Sequence, residues 1–191
     1  MAGIGLSKPY VAVYTNTGGV VTYGTPQVAG KAVSLELSLD NAGDNVLYGD
    51  NGPAESENLF AGGSITLGTT DLSPAVFSLI YGVSPEAIGT SSDSWYKNND
   101  SQVTPYVGLG AIRKKMVSGS IKYQAYFYRK VMFNNIAEAM ETQGETIEWQ
   151  TPEIEGNVYR DDTSTHDWRW ISSLVDTEAE AEALLMAAFG Q

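Results

Sequence analysis

Residues 33–40 alternate without a break: Val33, Leu35, Leu37 and Leu39 fall on one side of an extended chain, and Ser34, Glu36, Ser38 and Asp40 on the other. A period of two sets one face against a core and the other in water, so the segment predicts a half-buried antiparallel strand. Residues 63–69 (GSITLGT) and 145–150 (ETIEWQ) repeat the pattern. Residues 9–14 (PYVAVY) and 20–23 (VVTY) are β-type runs separated by Thr-Asn-Thr-Gly-Gly, a hairpin signal. Residues 154–159 and 168–174 predict two further strands. Residues 41–58 (NAGDNVLYGDNGPAESEN) are polar and acidic around a short β run at 46–48. They form an extended loop long enough to reach beyond the body. Residues 90–102 read as loop.

The longest β pattern is residues 104–133 (TPYVGLGAIRKKMVSGSIKYQAYFYRKVMF), two strands joined at Ser118-Gly119. A two-residue turn there puts Lys115 opposite Lys122, Gly110 opposite Phe127, Gly108 opposite Arg129 and Tyr106 opposite Val131. Small residues face large ones, as packing requires.

Two segments switch to helical period. In the first, Ser73 is placed to cap the helix and Pro74 sits at N1, where a missing donor is harmless. Leu72 and Phe77 have staple spacing, Gly82 ends the helix, and Val76, Phe77 and Ile80 form its apolar stripe. Ser84-Pro85-Glu86 predicts one more turn. In the second, residues 176–189, Thr177 and Glu180 make a capping box, and Ala181, Leu184, Leu185 and Ala188 form the stripe. About nine strands and two helices in mostly meander order predict a mainly-β single domain over residues 1–191. The expected fold is a β-sandwich or barrel with a packed helix, a C-terminal helix and a long hairpin extension.

Charge changes the picture most. The chain carries 11 basic and 23 acidic residues, net −12. Residues 104–133 hold Arg113, Lys114, Lys115, Lys122, Arg129 and Lys130 and no acid, so this segment is +6. The remainder, with five basic and 23 acidic residues, is −18. A −12 chain is poorly suited to general phosphate binding. With no cysteine there is no disulfide or thiolate chemistry. The first residues, MAGIGL, lack a basic n-region and a long apolar run, so no signal peptide is expected. The longest apolar run, residues 183–189, is too short to span a bilayer, and the chain is expected to be made in a cytosol.

Candidate chemistry is thin. His166 is the single histidine, and Asp161, Asp162 or Asp167 could orient it toward Ser164. A stretch as polar as RDDTSTHD reads better as a solvated loop. Asp40, Asp44 and Asp50 fail the spacing of a calcium loop. Gly108-Leu109-Gly110 lacks the third glycine and the βαβ setting of a dinucleotide site, so these glycines mark a bulge or close packing. Glu153 and Glu155 share one face of a strand, as a glycosidase pair would. With 23 acids such coincidences are expected. No cofactor, metal or catalytic residue is expected.

The segments GIGLSKPYVAVY, DNVLYGDNGPAESEN, ITLGTTDLSP, TPYVGLGAIRKKMVSGSIKYQAYFYRKV and TPEIEGNVYRDD resemble, in order and over nearly the whole chain, the major tail proteins of long non-contractile-tailed phages and prophages of Gram-positive bacteria. The resemblance implies a tail-tube fold and hexameric rings stacked around a tape-measure protein, with tail-terminator and distal tail proteins at the ends. It implies assembly in the host cytoplasm, a place in the virion tail, DNA passing through the lumen without specific binding, no membrane, and no enzymatic activity. Its intersubunit contacts map onto Asp44, Asp50, Asn51, Glu55 and Glu57 of the acidic loop and onto Arg113, Lys114, Lys115 and Lys122 of the hairpin tip. The alternative is a monomeric β-sandwich module that binds a ligand such as carbohydrate. A third reading, a carboxylate hydrolase, would use Glu153 and Glu155.

Like charges directly opposed on a ladder cost roughly 0.2–1 kcal/mol. The Lys115/Lys122 pair therefore predicts an acidic partner surface on a neighbouring copy. The double substitution Lys115→Glu/Lys122→Glu is expected to stop self-association while leaving the circular-dichroism spectrum unchanged. Normal assembly of that variant would refute the idea.

Overall fold

The long hairpin is the spine of one antiparallel sheet. In the computed structural model the described residues are 2–41, 45–49, 52–57, 60–87, 94–134, 142 and 151–191, the side chains of 41, 45–49, 52–57 and 94 excepted. The strands are β1 (Ala2–Thr17), β2 (Val20–Tyr23), β3 (Gln27–Val28), β4 (Ala32–Asn41), β5 (Asn45–Gly49), β6 (Gly52–Glu57), β7 (Phe60–Thr69), β8 (Pro85–Ala87), β9 (Ser94–Tyr96), β10 (Val107–Val117), β11 (Ser120–Phe133), β12 (Glu153–Tyr159) and β13 (Arg169–Ile171). The helices are α1 (Pro74–Tyr81) and α2 (Glu178–Ala188). The main sheet runs β2-β1-β10-β11-β12-β7-β4, with β3 beside β1 and β13 beside β11. The fold is mainly β, as the alternation predicts. The strand expected at 145–150 lies outside the described residues.

Ser118 (φ 49°) and Gly119 (φ 83°) are both left-handed, the turn geometry that matches strand twist. From that turn the register is as expected: Lys115 opposes Lys122 and Gly110 opposes Phe127. At the base it is not. A bulge between Val107 and Leu109 brings Val107, not Tyr106, opposite Val131, and the Gly108–Arg129 pairing does not form. Tyr23 packs over this irregularity. A Cβ at Gly108 would lie 2.7 Å from its ring, and the Tyr23 hydroxyl donates to the Arg129 carbonyl at 2.9 Å.

The first strand is longer than its pattern suggests. β1 starts at Ala2 and follows β10 along its length, from Ala2 opposite Met116 to Val13 opposite Val107. Register shifts between Gly3 and Gly5 and between Ser7 and Tyr10, with Lys8 at φ 50°, scramble the period-two signal that would have marked residues 2–8 as strand.

One buried cluster draws on nearly every long strand: Val11, Ile65, Leu67, Val107, Leu109, Val131, Ile154 and Val158, with Leu35 and Leu37 packed against it. The sheet must therefore roll around this cluster. α1 closes it with Val76, Ile80 and Tyr81, capped by Ser73, whose side chain accepts from the Val76 N–H, and ended by left-handed Gly82. The extra turn expected at Ser84 does not form. Pro85–Ala87 instead pairs with Ser94–Tyr96, inside the stretch expected to be loop, and an exposed Lys97–Glu86 ion pair at 2.7 Å spans the two strands. At the sheet's edge, β4 keeps Leu35 and Leu37 partly buried, while Val33 and Leu39 are 53% and 41% exposed.

α2 covers the other face of the hairpin. Its capping box is formed as expected, and Ala181 and Leu185 are buried with Ala12, Ile112, Ala125 and Phe127. Leu184 is 41% exposed, because a step of one residue turns it about 100° from Leu185. Phe189 completes the buried face. Polar contacts tie the helix to β1: Ser7 Oγ donates to Glu178, and Lys8 Nζ and Tyr10 OH both donate to Glu182 at 2.5 Å. These bonds hold the Glu182 carboxyl below its usual range, and burial and the same acid push Tyr10 up to about 12.

The close approach of α2 depends on Gly110, where a Cβ would lie 2.5 Å from Leu185 Cδ1. Gly110→Ala should destabilise the chain by about 1–3 kcal/mol through overpacking, read from urea unfolding. A loss within about 0.5 kcal/mol, the range of ordinary surface changes, would show that the helix shifts freely.

Candidate interaction surface

The six cations of the hairpin divide into two groups. Arg129 is buried, and its Nε donates to buried Asp161 at 2.5 Å while its guanidinium lies 3.9 Å from the Trp170 ring centre. Lys130 donates to Asp162 at 2.7 Å and stands 4.5 Å from the centre of the Tyr106 ring. Asp162 also accepts from Tyr14 OH at 2.7 Å, and the bonds from Lys130 and Tyr14 lower its pKa. Lys122 pairs with Asp176 at the start of α2. These three are neutralised inside the chain. The Lys115/Lys122 conflict is thus real in the register but relieved in cis: Lys122 finds Asp176, and Lys115 donates to Gln124 at 2.5 Å and to Tyr126 OH at 3.0 Å.

Arg113, Lys114 and Lys115 form the second group. Among the described residues no carboxylate pairs with any of them. They stand on the half of the hairpin beyond both buried clusters, next to the exposed apolar side chains of Ile4, Met116 and Ile121. Burial pushes the Tyr126 hydroxyl up, but hydrogen bonds and charge from Lys115 and Arg113 outweigh it and leave it below the usual phenol value. A cavity of about 390 Å³ opens beside these groups. Its lining includes Ile4 and Leu6 of β1, Val33 and Leu35 of β4, and Arg113 and Tyr126 of the hairpin.

Of the acidic loop, Glu55 and Glu57 lie on β6, which pairs with β5 as a separate two-stranded ladder; their side chains are not described. Asp44, Asp50 and Asn51 lie outside the described residues.

The stretch RDDTSTHD is a loop, as expected, but not a uniformly solvated one. Asp161 is buried on Arg129, and its second oxygen accepts from the Thr163 hydroxyl at 2.6 Å. Asp162 serves Lys130 and Tyr14, and Asp167 accepts from the Trp170 indole at 2.9 Å. Exposed His166 stands 3.3 Å from the Asp161 carbonyl through Nδ1. Each acid that could have oriented it is engaged elsewhere. Sequence reasoning missed the Arg129–Asp161 pair. Its one signal was an arginine inside an apolar strand run, YFYRKVMF, where a charge needs a partner. Glu153 and Glu155 point outward from β12, both exposed. Among the described residues no cluster of His, Asp and Glu is arranged to hold a metal ion. No protein-family model and no curated protein matches the chain.

Asp161→Ala should cost about 3–5 kcal/mol in urea unfolding, because it strands a buried guanidinium. Asp161→Ala combined with Arg129→Met should recover most of that loss. A single-variant cost below about 1 kcal/mol, the scale of exposed pairs, would show that the guanidinium reaches water.

Proposed function

We propose that this chain is a structural protein that assembles with copies of itself into stacked hexameric rings, forming the tube of a long non-contractile phage tail. The reading is carried by the ordered resemblance of five segments to major tail proteins of phages and prophages of Gram-positive bacteria. Three features add physical support. The fold is mainly β with two packed helices, and its strands β1 and β4 present unpaired edge segments with exposed Ile4, Val33 and Leu39 among the described residues. Arg113, Lys114 and Lys115 carry charge that no described acid answers, on a chain of net −12. A tube with an acidic inner wall repels phosphate, which suits a conduit for DNA.

In this reading the tape-measure protein occupies the lumen during assembly, the terminator and distal tail proteins close the ends, and the site of action is the virion tail. The hairpin tip, with Arg113, Lys114, Lys115 and Lys122, and the acidic residues 44–57 form contacts between copies. Nothing in the proposal uses a catalytic group or a cofactor.

Negative-stain electron microscopy of the purified chain, alone and with tail-initiation proteins, tests it. Rings or tubes with a central hole are expected. A chain that stays monomeric at every concentration, with and without initiators, refutes the proposal and favours a monomeric binding module.

A further inference from the structure

We propose that the cavity at the seam between β1 and β4 is a carboxylate receptor, filled in the assembled state by an acidic side chain on an extended segment of a second copy. The proposal rests on the self-assembly reading and deepens it. It makes a cleft, rather than the outward hairpin tip, the place where opposite charges meet.

The faces of the hairpin decide where the cations go. Arg113 and Lys115 continue the every-second-residue series of Leu109 and Ala111, so they lie on the side of β10 that builds the core. Nearer the base that side is closed by β7, β12 and α1. At the level of Arg113 the roll is open. β1 contributes Gly3, Ile4, Gly5 and Leu6 to the wall, β4 contributes Val33, Ser34 and Leu35, and the two strands do not pair with each other. Beyond β10, residues 2–7 of β1 pair with no other described strand, and β4 pairs with none beyond β7. Unpaired N–H and C=O groups on such edges accept an added extended segment.

Charge selects what that segment carries. Four cations of this sheet have acids in cis: Arg129 has Asp161, Lys130 has Asp162, Lys122 has Asp176 and Lys8 has Glu182. Arg113 and Lys115 instead converge on one neutral oxygen, the hydroxyl of Tyr126. Gly3 makes room for this arrangement, since a Cβ there would lie 2.5 Å from Arg113 Nη2. Two cations on one phenol, one of them, Arg113, lining the cavity, favour an incoming carboxylate. The chain supplies such groups in excess, with 23 acids against 11 bases, so a second copy is the occupant that matches in charge.

The test places a photo-crosslinking amino acid at Ile4, which lines the cavity and is 48% exposed. In assembled material the crosslink is expected to join Ile4 of one copy to a segment of another that contains Asp or Glu. Arg113→Glu should raise the concentration for half-assembly about tenfold or more, and reversing the crosslinked acid to Arg should restore it. Tubes that form normally but give no intermolecular Ile4 crosslink, or one to a segment without an acid, overturn this inference and leave the self-assembly reading standing. A chain that never assembles overturns both. The crosslink is read in the otherwise unaltered chain, so the result stands even if Arg113→Glu fails to fold.

Discussion

Burial on both faces of the β10–β11 ladder is the constraint on which the rest of the structure depends. One face closes the main core through Val107, Leu109, Tyr128 and Val131, and the other receives α2 through Ile112, Ala125 and Phe127. A ladder covered on both sides needs small residues where its neighbours come closest. Gly110 lies under Leu185, and Gly108 lies under Tyr23. The base of the hairpin is therefore not an appendage of a sandwich but its central ladder. Its other edges are claimed as well, by β1 along β10 and by β12 and β13 along β11.

The same arrangement explains how a segment of +6 sits in a folded body without straining it. The cations nearest the core are answered by acids brought in from the chain's last third: Asp161 and Asp162 from the turn after β12, and Asp176 from the approach to α2. A charge anomaly in the linear sequence thus becomes, for half its members, a set of clasps between the hairpin and the segments that cover it. Sequence alone separates these residues by tens of positions and shows only an imbalance. The unanswered charge is left toward the tip, at Arg113, Lys114 and Lys115.

How far the sequence could be read follows from how local each signal is. The turn at Ser118-Gly119, the register of the tip and both helix caps depend on neighbours a few residues away and appear where the pattern puts them, while the alternation of β4 holds at Leu35 and Leu37 and fails at exposed Val33 and Leu39. Three features depend on distant partners and were not legible. The bulge at Val107 lies where Tyr23 packs over Gly108, and the exposure of Leu184 follows from which side of α2 meets Gly110. The burial of Asp161 needs Arg129, thirty-two positions away. The strand at residues 2–8 fell between these cases: its bulges erase the period that would have announced it. The interaction residues were legible only as charge. Arg113, Lys114 and Lys115 stood out, but which of the six cations stayed unpaired depended on the fold.

Along the hairpin, then, structural and associative roles are graded rather than mixed. At the base, each side chain faces a partner in the same chain, and substitution there acts on folding. Toward the turn, α2 and the main core fall away, and exposed Met116 and Ile121 lie directly opposite one another next to unanswered cations. Exposed apolar groups beside uncompensated charge are poor for a monomer, because they gain nothing from folding and invite association. They are favourable only if another surface covers them. The pairing of Lys122 with Asp176 sharpens this point. An acid was available for the tip, and the fold uses it on Lys122 while leaving Arg113, which lines the cavity, and Lys115 on a phenol. A chain with 23 acids has no shortage of carboxylates to place there. Leaving those two cations without one makes sense if the missing carboxylate arrives from a neighbouring copy.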